Sequence, residues 1–239
     1  LALSGMCFQA LFRNLLATPY TLGVSSGASL GVALCIRLGL VSGALGVSSL
    51  SLAAFTGAIG AISLVYGLTR LRGGCSTATM LLAGVAVSFS FSSLILFLQY
   101  MSDFANSFRI VRWLMGGVSA VGYGTVMPLA TLSLCGATLA AFHLRELNLL
   151  SIGEEFAASR GVAVQRTKLI LFAGVSLMVG GVVAFCGPIG FVGMICPHVC
   201  RLVLGVNHRR LAPGAFLFGG TFLLLCDTVA RILVPPAEV

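Results

Sequence analysis

The chain has 239 residues, with 14 Lys or Arg against 6 Asp or Glu, a net charge of +8. Hydrophobic residues make up 58% and charged ones only 8%, where soluble domains carry about 25% charged residues. So few charges cannot cover a water-soluble domain of this size. The mean hydropathy of +1.08 agrees, and a soluble enzyme, a nucleic-acid binder and a disordered tail are excluded together. The composition is that of a polytopic membrane protein.

A hydrocarbon core about 30 Å thick needs roughly 20 apolar residues per helix, and only helices satisfy their backbone in lipid within one segment. Residues 1–12 read as the tail of a span, broken at Arg13, Asn14 and Pro19. Spans follow at 21–36, about 45–69, about 76–101, about 116–142, 169–186, 188–205 (interrupted by Pro197) and 211–233. That is seven spans plus a partial one, an all-α helical bundle. The stretch begins at Leu1 inside an apolar run and stops at Val239 past a Pro-rich turn. The expectation is therefore one transmembrane domain, 1–239, truncated at both ends.

Thirteen of the 14 cations are Arg, scattered between apolar runs. Alternating the breaks puts Arg13, Arg70, Arg72, Arg145, Arg160, Arg166, Lys168, Arg201, Arg209 and Arg210 on one side. Arg37, Arg109, Arg112 and Arg231 fall on the other. The positive-inside rule makes the first side cytoplasmic. Gly23, Gly27 and Gly31 form two consecutive GxxxG steps, the spacing that lets helices approach closely in lipid. The eight cysteines (Cys7, Cys35, Cys75, Cys135, Cys186, Cys196, Cys200, Cys226) read as small buried apolar side chains.

Residues 143–168 are the one sizeable hydrophilic segment. Leu149, Ile152, Phe156, Ala157 and Ala158 sit at helical spacing. Ser151 precedes Glu154 by three, a capping-box pattern, and Gly161 suits the end of that short helix. Val162 to Lys168 reads as a second short element. Bundle connections are usually 2–8 residues, and a longer one with its own helix tends to be a docking surface. No GxxxxGK[ST], HExxH or GxSxG occurs, so any ATP hydrolysis belongs to another subunit.

Four ordered blocks across the whole chain resemble the FecCD-type permeases, the membrane subunits of ABC importers for iron–siderophores, haem and cobalamin. They are the stretch 4–31; Gly187, Pro188, Ile189, Gly190, Phe191, Val192 and Gly193 with Pro197, His198 and Arg201; Asp227, Ala230 and Arg231 with Pro236, Ala237 and Glu238; and Gly153, Glu154, Glu155, Ala157, Gly161 and Val162. Leu15 and Thr18 depart from the usual Pro and Asp at the turn after Asn14. The resemblance implies a ten-helix fold of which the first and last helices are missing here. It implies a homodimer or a pair of homologous permeases, two ATPase subunits, a periplasmic or lipid-anchored substrate-binding protein, and a bacterial cytoplasmic membrane. No cofactor is expected on this chain, and no nucleic acid.

The resemblance makes Ser151, Gly153, Glu154, Glu155, Ala157, Arg160, Gly161 and Val162 the ATPase-coupling loop. It makes Arg231 a docking residue for the binding protein, and it places Trp113, Gly116 and Gly117 at an outer gate. Gly187, Pro188, Gly190, Phe191, Gly193, Pro197 and His198 are expected along the translocation path, as a packing or hinge segment. Trp113 also suits an interfacial anchor. Asp227 and Arg231 are four apart on one helix, so an intrahelical pair, a docking arginine and a proton relay all remain open. An ion-coupled secondary transporter titrating Asp227 is the alternative function. Cys196 and Cys200 are i, i+4, but His198 faces elsewhere, which speaks against a metal site or an intramembrane enzyme built on them.

Overall fold

The computed structural model describes residues 1–40, 43–44, 47–71, 77–118 and 122–233. The expectations for Arg72, Cys75, Pro236, Ala237 and Glu238 fall outside them. Eleven α-helices occur among the described residues: α1 (Ala2–Phe12), α2 (Val24–Arg37), α3 (Ser49–Leu71), α4 (Thr77–Tyr100), α5 (Phe104–Leu114), α6 (Tyr123–Phe142), α7 (Leu144–Ile152), α8 (Glu154–Ser159), α9 (Val164–Cys186), α10 (Val192–Leu204) and α11 (His208–Leu233). Among the described residues the one strand pairing is a short antiparallel hairpin, β1 (Gly43–Ala44) with β2 (Val47–Ser48).

Eight of these helices are apolar, in the order the hydropathy pattern predicts. Five of them, α3, α4, α6, α9 and α11, are long enough to cross a bilayer. The other three, α1, α2 and α10, are shorter, so the reading of seven full spans gives way to a mixture. Their shortness has local causes. Arg13 closes α1 in the left-handed region (φ 48), and the Leu16 N–H donates to Asn14 Oδ1 at 2.9 Å, folding the following turn onto a side chain. Pro197 does not interrupt its helix: α10 runs through it as its sixth residue, and its limits are Phe191 and Gly205. The span expected from residue 116 starts as a helix only at Tyr123.

Two compact units make up the chain. The first holds Leu1–Thr18, Thr138–Leu171 and the described residues from Gly190 onward; the second holds the described residues of Pro19–Ala137 with Phe172–Ile189. In the second unit, α2 and α3 meet along a seam of small residues. A Cβ on Gly27 would lie 2.5 Å from both the Gly57 carbonyl oxygen and the Ala61 Cβ, and one on Gly31 would overlap the Ala53 carbonyl. On α3, Ala54, Ala58, Ala61 and Val65 form the buried stripe. Packing of this kind replaces the hydrophobic drive that lipid removes. Gly23 serves differently: with φ 81 it begins α2 and faces Val87 of α4.

In the first unit α1 packs on α10 and α11. Gly5 lies so close to the Gly193 backbone that no Cβ fits, and a Cβ on Gly219 would lie 2.5 Å from the Ala2 Cβ. Five of the described cysteines are buried, as expected, whereas Cys135 and Cys226 are exposed on their helices.

Candidate coupling surface and translocation elements

The hydrophilic segment is built from three helices rather than two short elements. Ser151 is not a cap. It lies inside α7, where its hydroxyl donates to the Asn148 carbonyl at 2.8 Å, and α8 starts at Gly153 without a side-chain cap. The extended Gly153 separates α7 from α8, so the apolar positions Leu149 to Ala158 belong to two helices. Residues 164–168 are the first residues of α9, which continues without a break to Cys186.

The other end of α8 follows the expectation. Gly161 has φ 82. Its N–H donates to the Ala158 carbonyl at 2.9 Å and the Val162 N–H to the Ala157 carbonyl at 3.1 Å, the paired bonds of a Schellman motif. Only glycine adopts that φ without strain.

The face of α8 toward the protein carries Ala157 and Glu154. Ala157 is fully buried, and Glu154 Oε1 lies 2.5 Å from Nζ of Lys168, whose side chain is 5% exposed against 33% for the carboxylate. A buried ammonium needs such a partner. The other face is open: Ser151, Ile152, Glu155, Phe156, Ala158, Ser159 and Arg160 are exposed, and the Arg160 guanidinium stands 5.4 Å over the Phe156 ring. Helix α7 is fixed from behind by buried Leu147 and Leu150. Asn148 Oδ1 accepts from the His208 N–H at 2.9 Å and lies 2.7 Å from His208 Nδ1. Its amide donates to Asn207 Oδ1 at 3.3 Å. One side chain of α7 thus caps the first turn of α11.

A second joint in the same unit lies between α1 and α10. Arg201 Nη2 donates to Gln9 Oε1 at 3.0 Å, and Gln9 Nε2 donates to the Met194 carbonyl at 3.2 Å. Sequence reading missed Lys168, Asn148, Gln9 and His208 as partners. Their only signal was polarity inside or beside apolar runs, which marks a residue in need of a partner without naming it.

In the second unit the structure joins two residue sets that the sequence kept apart. Gly116 (φ 64) and Gly187 (φ 68) face each other. A Cβ on Gly187 would lie 2.9 Å from Gly116 Cα and from the Trp113 carbonyl oxygen, and one on Gly116 would overlap the Pro188 carbonyl. The Gly117 N–H donates to the Cys186 carbonyl at 2.8 Å, and the Ile189 N–H donates to Tyr20 Oη at 2.7 Å. The end of α5, with half-buried Trp113, is therefore latched to the end of α9.

The rest of the glycine-rich block, from Gly190, belongs to the first unit. Phe191 begins α10 with φ 65, a conformation that costs a non-glycine residue strain. A Cβ on Gly193 would lie 3.1 Å from the Leu1 carbonyl oxygen. Pro197 is buried, while His198 is exposed on a face separate from buried Cys196 and Cys200. On α11, Arg231 Nε donates to Asp227 Oδ2 at 2.8 Å, so the intrahelical pair forms.

Comparison with known proteins agrees with this architecture. The model of the FecCD transport family matches residues 1–239. The chain is 38% identical over 239 residues to the hemin transport system permease HmuU of Yersinia pestis, covering 100% of this chain and 71% of that protein. It is 42% identical over 235 residues to the cobalamin import system permease BtuC of Halobacterium salinarum, covering 97% and 61%. Among solved structures, a metal-chelate type ABC transporter in an inward-facing conformation superposes with a TM-score of 0.90. That match has 34% identity and covers 100% of this chain and 75% of the other. The ion-coupled alternative falls with these matches, and the chain belongs to the FecCD transport family, as a multi-pass membrane permease subunit of an ABC importer.

Proposed function

We propose that α8 and its flanks, Ser151 to Val162, are the surface through which a separate ATPase moves this subunit, and that the cargo is a bulky metal chelate. Permeases of this family work as dimers with ATPase subunits and a substrate-binding protein, and this chain carries no P-loop of its own. The observation that carries the reading is the two-sidedness of α8. Its outer residues are open while its inner carboxylate grips the foot of α9 at Lys168. A displacement of α8 would pass along α9, about 35 Å of continuous helix, to Gly187 and Pro188 and to the latch on Gly116 and Gly117.

Gly187, Pro188, Gly190, Phe191, Gly193, Pro197 and His198 then act as the hinge and path segment, supported by the passage of the chain from one unit to the other between Ile189 and Gly190. Trp113, Gly116 and Gly117 form the outer gate, and Arg231 docks the binding protein while Asp227 orients it. Two states of the bundle, biased oppositely by the ATPase and by the loaded binding protein, are what transport requires. The hemin and cobalamin relatives support haem, cobalamin or an iron–siderophore as the class of cargo.

The decisive test separates the two faces of α8. Glu155→Arg should abolish co-purification of the cognate ATPase while leaving thermal unfolding of the permease unchanged; undiminished co-purification would overturn the proposal. A single cysteine at Ser151 in a cysteine-free background should resist an impermeant thiol reagent added outside intact cells. Rapid labelling from outside would place the loop on the wrong side. Uptake of haem, cobalamin and a ferric siderophore by the assembled transporter would then assign the cargo.

A further inference from the structure

A cleft of about 550 Å³ opens in the first unit between α7, the α8–α9 turn and the start of α9. Arg145, Arg160 and Arg166 line it together with His143 and Glu146, and Leu149 and Ile170 supply an aliphatic wall. All three guanidiniums are exposed. Counting its three arginines and one glutamate, the lining carries a net +2. The first turn of α9 opens on the same space, and its leading N–H groups add positive potential.

Position narrows the ligand. His143 directly follows Phe142, the last residue of the α6 span, and Arg166 and Thr167 stand at the start of the α9 span. The cleft therefore lies at the level of lipid phosphates, on the side to which the arginine count assigns the cytoplasm. Exposed apolar side chains, Phe142, Leu139 and Leu169, lie on the same ends of these two helices. Basic pockets at this depth suit anionic headgroups. Glu146 narrows it further: its Oε2 is buried with no hydrogen-bond partner among the described residues, so the site wants a donor as well as an anion.

We propose that this cleft binds the headgroup of an anionic glycerophospholipid. Its phosphodiester is held by Arg145 and Arg166, and a headgroup hydroxyl donates to Glu146. The fit is to a headgroup that pairs a phosphate with free hydroxyls, as phosphatidylglycerol does. Phosphatidate lacks the hydroxyls, and phosphatidylcholine lacks both them and the net charge.

Native mass spectrometry of the full chain in mixed micelles tests this. Phosphatidylglycerol should be retained over phosphatidylcholine of the same chains by about tenfold or more. Arg145→Gln with Arg166→Gln should remove that preference, whereas Arg209→Gln with Arg210→Gln, an equal loss of charge outside the cleft, should leave it. Equal losses from both pairs would mean diffuse surface attraction and would overturn the site. Displacement of the lipid by millimolar inorganic phosphate would also overturn it, in favour of a free-phosphate site. Glu146→Gln should erase discrimination between phosphatidylglycerol and phosphatidate while keeping that against phosphatidylcholine; unchanged discrimination would refute the role of the hydroxyl. If the double arginine variant lost ATPase association with lipid retention intact, the cleft would hold a protein carboxylate, and the lipid assignment would fail.

Discussion

The α2–α3 seam of the second unit and the polar joints of the first answer one difficulty by opposite means. In lipid, helices gain nothing from hiding apolar surface, so association rests on close packing or on hydrogen bonds. The seam uses packing: Gly27, Gly31 and Gly57 bring two backbones together along a stripe of alanines. The joints use single polar contacts between residues far apart in the chain, Gln9 with Arg201 and Asn148 with His208, and one nearer ion pair, Glu154 with Lys168. A seam spreads its energy over many small contacts and tolerates no added atom. A joint concentrates it, and fails when one partner is removed.

Substitutions can break that contrast, beginning with the largest effect. Gly31→Ala places a methyl group on the Ala53 carbonyl, and should cost about 3 kcal/mol or more, because neither backbone can retreat. Gly60→Ala on α3, where a Cβ meets nothing within 4 Å, should be neutral or slightly stabilising. Thermal unfolding in detergent compares the two, and similar melting temperatures would dismiss the seam.

At the ion pair the effect should be asymmetric. Glu154→Gln removes the carboxylate from a lysine that is almost wholly buried and should cost about 2–3 kcal/mol, somewhat below the range for a fully buried pair. Lys168→Met leaves a carboxylate that water already reaches and should cost less than about 1 kcal/mol. A double-mutant cycle measures the difference, and equal costs would show that burial is not what makes the pair matter. Asn148→Ala removes a cap from α11 and should cost about 1–2 kcal/mol. Its signature would be faster amide exchange in the first turn of α11 alone.

The smallest effect belongs to α11's other end. Asp227→Asn should leave the unfolding temperature within error, since Arg231 is exposed and an exposed pair holds little. Capture of the binding protein by the assembled transporter is where the loss should appear, which would separate an orienting role for Asp227 from a structural one.

These differences follow how legible each region was. The seam could be read because packing in a helix repeats every three or four residues, so Gly27 and Gly31 announce themselves. The helix order and the Gly161 turn could be read for related reasons: length and φ preference are local properties. The capping box at Ser151 was misread because the same four residues also fit the end of one helix and the start of the next. The extended Gly153 between them decides which. Pro197 reads as a break in the sequence, but at the sixth position it lies close enough to the helix start for α10 to run through it.

By itself the sequence determined that this chain crosses a membrane, that its bulk is helical, and through four ordered blocks which family it resembles. Those properties reside in composition, in short-range spacing and in residue identity. Only the tertiary structure decided that Glu154 turns inward while Glu155 faces out, that Gly116 and Gly187 share one latch, and that Asn148 caps a helix sixty residues away. A partner chosen across folded space leaves no period in the chain, because the distance that matters exists only after the helices have packed.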